Sequence, residues 1–181
     1  MSRALPFMIA TALLVPNVVL AQTASPDAAV KRGEYLVTIG GCHDCHTPLA
    51  MGPSGPAPDM KRALSGHPQD LTVRAPAAVQ EPWAGSFTPT LTGWSGPWGV
   101  SFSANLTPDP ETGVLRDFTE QQFIQTLRTG RHQGQGRPIL PPMPWQNYAE
   151  MTDEDLKAVF AYLRQIPAVK NKVPDPIIAA K

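Results

Sequence analysis

Cys42-His43-Asp44-Cys45-His46 is the stretch on which the reading of this chain turns. Two thiols three residues apart, with a histidine directly after the second, suit covalent attachment of haem. The thiols add to the two vinyl groups, and the histidine reaches the iron. Three other readings compete for the same residues. A redox-active dithiol calls for a preceding strand in a βαβ unit, whereas here a short helix and Gly40-Gly41 come first. A structural zinc site needs about four ligands, and beyond the cysteines only His43, His46, His67 and His132 are available, scattered along the chain. A disulfide would close a strained, very short loop. The motif occurs once, so the expectation is one haem c, covalently held by Cys42 and Cys45, with His46 on the iron.

The segments flanking the motif set its frame. Ala28 to Ile39 holds helix formers with apolar residues at Val30, Leu36, Val37 and Ile39 and a glycine stop at Gly40-Gly41. Further on, Thr119 to Thr129 predicts a second helix. Thr119 and Gln122 form a capping box, Phe118 and Phe123 form a staple, and Phe123, Ile124 and Leu127 make the buried face before Gly130. A third is expected over Thr152 to Ile166, with Thr152 as N-cap, three acids in its first turn, and Leu156, Val159, Phe160 and Leu163 at helical spacing before Pro167. Between the first and second helices the character changes. Eleven of the 21 prolines fall in residues 48–110, together with Trp83, Trp94 and Trp98, which points to an ordered, loop-rich insertion rather than a linker. Two-residue spacing of apolar positions in 86–92 and 100–105 is compatible with a short hairpin there.

Composition excludes other classes. With 15 basic and 15 acidic side chains, 42% hydrophobic residues and two cysteines in 181 residues, the chain is neither a nucleic-acid binder, nor disordered, nor a disulfide-dense scaffold. Arg3 followed by an uncharged run to Val19-Leu20-Ala21 reads as a signal peptide over residues 1–21, cleaved after Ala21. The expectation is an exported, periplasmic protein with a single domain over 22–181 and no stable membrane span.

From Lys31 to Pro167 the chain resembles class I c-type cytochromes, in which the haem motif follows an N-terminal helix and a late methionine loop precedes a C-terminal helix. The stretches Asn105-Leu-Thr-Pro-Asp-Pro-Glu-Thr-Gly113, Leu127-Arg-Thr-Gly130, Met143-Pro144 with Tyr148, and Thr152-Asp-Glu-Asp-Leu156 are similar to haem units of the cytochrome subunits of periplasmic alcohol and aldehyde dehydrogenases. This chain differs from those subunits in carrying one haem motif where they typically carry three. The resemblance implies an all-α, cytochrome c-like helical domain around one haem, with the long Pro/Gly/Trp-rich insertion added. It also implies that the N-terminal helix, around Gly33, Tyr35 and Val37, crosses the C-terminal helix near Phe160 and Leu163.

Within that frame, Met143 is the expected second axial ligand. Met51 and Met60 lie too close to Cys45 to travel round to the opposite haem face, and Met151 reads as a staple to Leu156. Met143 sits in Pro141-Pro142-Met143-Pro144, a stiff loop poor in backbone donors. His67 and His132 are the competing candidates. Pro48, Pro53 or Pro56 offer a carbonyl to orient His46, and Arg131, Arg137, Trp94, Trp98 and Trp145 offer donors to the propionates. Asn105 is expected to support the Pro108-Asp109-Pro110 turn. A haem with both axial positions filled suits a one-electron carrier rather than an enzyme. Such a carrier passes electrons from a dehydrogenase to an oxidase or another cytochrome of the respiratory chain, with Arg128, Arg131 and Arg137 giving a basic edge. The alternative is a haem protein with an open sixth site, a sensor or a peroxidase-like enzyme.

Overall fold

Ser25 caps the first helix through its side chain, Pro26 stands at the first helical position, and α1 runs over Pro26–Ile39. The structure is a computed structural model and describes residues 25–75 and 81–179; the export segment expected over 1–21 lies outside them. Gly40 ends α1, and Gly41, at φ 66°, makes the left-handed turn that starts α2, Cys42–His46. After the insertion come α3 (Glu120–Thr129), α4 (Trp145–Ala149) and α5 (Asp153–Leu163). Both halves of the Thr119–Gln122 capping box are present, and Gly130 closes α3 at φ 63° beneath the Trp145 ring. The last helix ends three residues short of the expected Ile166, with its final turn capped by Arg164.

The helices α1, α3 and α5 enclose the core of Leu36, Val37, Phe123, Ile124, Leu156 and Val159, the faces that helical periodicity marked. Gly33 is the point of closest approach. A Cβ placed there would lie 2.0 Å from the Ala158 carbonyl oxygen and 2.7 Å from the Tyr162 Cβ. The crossing is therefore centred on Ala158 and Tyr162, which flank the expected Phe160 and precede Leu163. Tyr35 is 53% exposed, with the Arg32 guanidinium 5.5 Å above its ring.

The all-α expectation is overturned. Among the described residues, five α-helices are joined by six strands in two sheets, a mixed fold. The insertion begins with the hairpin β1 (Leu49–Gly52) and β2 (Gly55–Pro58), closed by a two-residue loop. Next comes a four-stranded antiparallel sheet of β3 (Ser86–Phe87), β4 (Gly93–Gly96), β5 (Gly99–Phe102) and β6 (Ile177–Ile178), in that spatial order. The expected pairing of 86–92 with 100–105 is replaced by β4 against β5 across Pro97-Trp98, with β3 on the outer side. Pro56 and Pro58 are tolerated in β2 because it is an edge strand. The remaining polar groups are satisfied by a relay of alternate threonines: Thr88, Thr90, Thr92 and His67 are linked at 3.0, 2.7 and 3.0 Å.

Beyond α5 the chain turns back over the insertion. The Asn105 amide donates to the Val169 carbonyl at 2.8 Å. Asn171 donates to the carbonyls of Ser65 (2.7 Å) and His67 (2.9 Å) and accepts from the Gln69 N–H. This strap then delivers β6 to the edge of β5.

Candidate haem site

A cavity of about 520 Å³ lies between the helical core and the insertion, within the size range of cofactor pockets. Cys42, Cys45 and His46 line it from α2, Trp94 from β4, and Met143 and Met151 from the segments around α4. Much of the remaining wall is aliphatic and aromatic core, including Leu36, Leu127 and Leu156. A large apolar disc is a fitting occupant.

Gly40-Gly41 turns the chain so that α2 presents both cysteines and His46 to this space. The two thiols are free, and burial pushes Cys42 up to about 11 and raises Cys45 as well, so both are held protonated. His46 is buried, which lowers its pKa and keeps the imidazole neutral. Its Nδ1 lies 2.8 Å from the Ala104 carbonyl oxygen. A carbonyl only accepts, so Nδ1 carries the proton and Nε2 is left with its lone pair free, the tautomer that a metal needs. This donor set, two thiols, an oriented neutral imidazole and a thioether on one apolar cavity, fits a haem of the c type.

The oriented imidazole was foreseeable and its partner was not. Ala104 stands 58 residues from His46, whereas Pro48, Pro53 and Pro56 are nearer in sequence and make no such bond. Met51 and Met60 are 80% and 63% exposed and outside the cavity. Met151 lines it beside Met143 and also packs on the core that contains Leu156. His67, a competing ligand candidate, is fully buried and lies outside the cavity lining. Its Nε2 donates to the Leu71 carbonyl at 2.9 Å, its Nδ1 faces Thr92 Oγ1, and its ring packs on Phe102. His132 lines the cavity edge-on to Phe118.

The candidate propionate donors divide. Arg137 and Trp94 line the cavity. Arg131 donates instead to the Gly136 carbonyl, Trp98 Nε1 to Ser101 Oγ, and Trp145 covers Gly130. Arg128 is bound to Asp153 and the Ala149 carbonyl, which removes it from a free basic edge. Arg116 and Lys172 are cations of the wall that sequence reasoning missed. Lys172 arrives on the C-terminal strap, whose path no local pattern announces. Tyr148 also belongs to the wall. Its hydroxyl donates to the Gly40 carbonyl at 2.6 Å, tying α4 to the turn before Cys42, and burial pushes its pKa up to about 12.

The c-type pentapeptide on a short helix opens onto a cavity that suits a haem-binding protein. No protein-family model matches it. The cytochrome c subunit of the quinone alcohol dehydrogenase of Gluconobacter oxydans (strain 621H) is 30% identical over 152 residues, covering 82% of this chain and 24% of the relative. The gluconate 2-dehydrogenase cytochrome c subunit of Pantoea cypripedii is 33% identical over 143 residues, 79% of this chain and 24% of the relative. The fructose dehydrogenase cytochrome subunit of Gluconobacter japonicus is 27% identical over 181 residues, 93% of this chain and 30% of the relative. The chain is a cytochrome c resembling these dehydrogenase subunits, and it spans about a quarter of the length of the relatives it matches. Among the described residues no helix is long and apolar enough to cross a membrane.

Proposed function

We propose that this cytochrome c is an exported, periplasmic one-electron carrier with a single haem, attached through Cys42 and Cys45 and ligated by His46 and Met143. The observation that carries the reading is the His46 tautomer: a neutral imidazole whose Nδ1 proton is spent on Ala104, on the cavity shared with both thiols and Met143. When bound, the haem supplies reversible one-electron exchange between ferric and ferrous iron.

The chain's own groups do the rest. Cys42 and Cys45 would hold the haem as thioethers to its two vinyl groups, each thiol supplying both the sulfur and the proton of the addition. The Ala104 carbonyl fixes the His46 ring plane. The apolar wall would limit water at the metal, and a thioether at Met143 would favour the ferrous state. Arg137, Arg116 and Lys172 line the cavity and would supply cations to the propionate carboxylates. The relatives are named as subunits of alcohol, gluconate and fructose dehydrogenases, which supports a dehydrogenase of that kind as electron donor and a respiratory-chain component as acceptor.

The test is optical and electrochemical. Acid–acetone extraction should leave haem on the protein. Ferric wild type should show the weak red charge-transfer band of methionine ligation and bind cyanide slowly. Met143→Ala should abolish the band, lower the reduction potential and bind cyanide promptly, whereas Met151→Leu should do none of these. Loss of the band in Met151→Leu alone would move the ligand to the start of α5. Prompt cyanide binding by wild type would favour the open-site sensor or peroxidase-like reading.

A further inference from the structure

The stretch from Ser101 to Ala104, at the end of β5 and just beyond it, touches both sides of the proposed iron site. At one end the Ala104 carbonyl orients His46. At the other the buried Ser101 hydroxyl lies 2.5 Å from the carbonyl oxygen of Pro141, two residues before Met143. Trp98 Nε1–H donates to the same Ser101 Oγ at 3.2 Å. The indole can only donate and the proline carbonyl can only accept, so the one hydroxyl proton of Ser101 is directed to Pro141. The stretch itself is immobilised. β5 is flanked by β4 and β6, the Ser103 N–H donates to the Thr92 carbonyl, and the Ser103 carbonyl accepts from the His67 N–H, both at 2.9 Å.

We propose that Ser101, oriented by Trp98, is a positioning residue for Met143, and that the insertion's sheet is the strut which holds the methionine loop and His46 in one frame. The proposal rests on the ligation reading above. The loop Pro141-Pro142-Met143-Pro144 has few backbone N–H groups with which to anchor itself, because three of its four residues are prolines. It must be held through its carbonyls: the Trp145 and Asn147 N–H groups hold those of Met143 and Pro144 at 2.9 and 3.0 Å from within α4, and Ser101 supplies the tie from the sheet to that of Pro141. Without it the thioether leaves the iron more often, and an external ligand competes better.

The experiment uses the haem-loaded protein. Ser101→Ala should raise the cyanide affinity of the ferric form by about tenfold, the equivalent of one hydrogen bond, and should weaken the red band and lower the reduction potential. Ser101→Thr, which keeps the hydroxyl, should restore all three. A merely structural serine would lower the unfolding midpoint and leave these readouts where they were, and that result overturns the proposal. If Ser101→Ala fails to load haem, Trp98→Phe decides in its place: the same direction of change supports the strut, and wild-type affinity overturns it. Failure of the underlying reading looks different. There, wild type lacks the red band or Met143→Ala retains it, and the strut falls with it; if Met143→Ala behaves as expected and Ser101→Ala is silent, the strut alone is wrong.

Discussion

His67 is a residue whose chemistry is decided by neighbours far along the chain. Its Nε2–H is committed to the Leu71 carbonyl, so its Nδ1 must accept, and the hydroxyls of Thr88, Thr90 and Thr92 can each donate to the next and finally to that nitrogen. A second proton on the ring requires the whole threonine relay to reverse, with Thr92 Oγ1 accepting from Nδ1. Burial is the leading cause lowering its pKa, as it is for His43 and His132. A histidine whose folded pKa is depressed is protonated more readily in the unfolded chain. The stability it contributes is complete above the unfolded value of about 6.5 and is lost as pH falls below it. The urea midpoint of the haem-loaded protein should therefore hold steady from pH 8 to 7 and decline from about pH 6.5 downward, with a shallower decline in His67→Gln; a profile flat to pH 5 would contradict this. Thr92→Val should cost about 1–3 kcal/mol at pH 7.5, the penalty for a buried acceptor left unpaired. At this scale the sequence was legible where one residue type has few jobs, as in Cys42, Cys45 and His46. It was illegible where a partner is a backbone carbonyl, because every residue has one and only the folded register selects Ala104 or Leu71.

Helices were legible as elements because caps and periodicity are local: the Thr119–Gln122 box, Gly130 and the acids after Thr152 lie within a few residues of what they control. Strands of two to four residues are not, since β3, β4 and β6 hold too few positions for alternation to rise above chance, and β6 pairs with a strand 77 residues earlier in the register Val100↔Ile177. β2, with Pro56 and Pro58 among its four residues, reads as loop for the same reason that it and β1 stop at a two-stranded ribbon. The contact of α1 with α5 is where element packing is most sharply testable. The missing Cβ at Gly33 lets the helix backbones touch, and any side chain there must push the Ala158 carbonyl away. Gly33→Ala gains up to about 1 kcal/mol in helix propensity but over-packs an interior that cannot yield locally, at a cost of about 1–3 kcal/mol or more. We expect a net loss of about 2 kcal/mol and a melting temperature lower by roughly 4–8 °C, measured by calorimetry on the haem-loaded protein. An unchanged melting temperature would mean that the helices can separate freely. The Arg32–Asp155 pair that bridges the same helices is half-exposed, so Arg32→Ala should change stability by less than about 1 kcal/mol.

Over the whole molecule, the haem cavity and the hydrophobic core are the same object. Leu36, Leu127, Leu156, Val159 and Leu163 belong to both, and the insertion and the C-terminal strap close the other side. A cavity of about 520 Å³ kept dry and closed would cost on the order of 12 kcal/mol at about 24 cal/mol per Å³, as much as the entire stability of an ordinary domain. The opening to solvent lowers that figure, which is an upper bound, and we expect the chain without haem to lose stability. Contacts from Lys172 to Pro176 along the cavity wall add a second consequence, because the strap is fastened by Asn171 to the Ser65 and His67 carbonyls and the Gln69 N–H. Asn171→Ala should leave three backbone groups without partners and cost on the order of 3 kcal/mol, loosening strap and haem together. The double variant Cys42→Ala/Cys45→Ala separates the two contributions. It removes attachment while leaving every fold contact of the insertion intact, so its haem becomes extractable and its stability depends on added haem through mass action. Titrating that variant with haem while following the near-ultraviolet circular dichroism of Trp94 and its neighbours should show tertiary signal growing with occupancy. A haem-free chain with the full native signal and an unchanged melting temperature would mean that the insertion and strap, rather than the cofactor, complete the core.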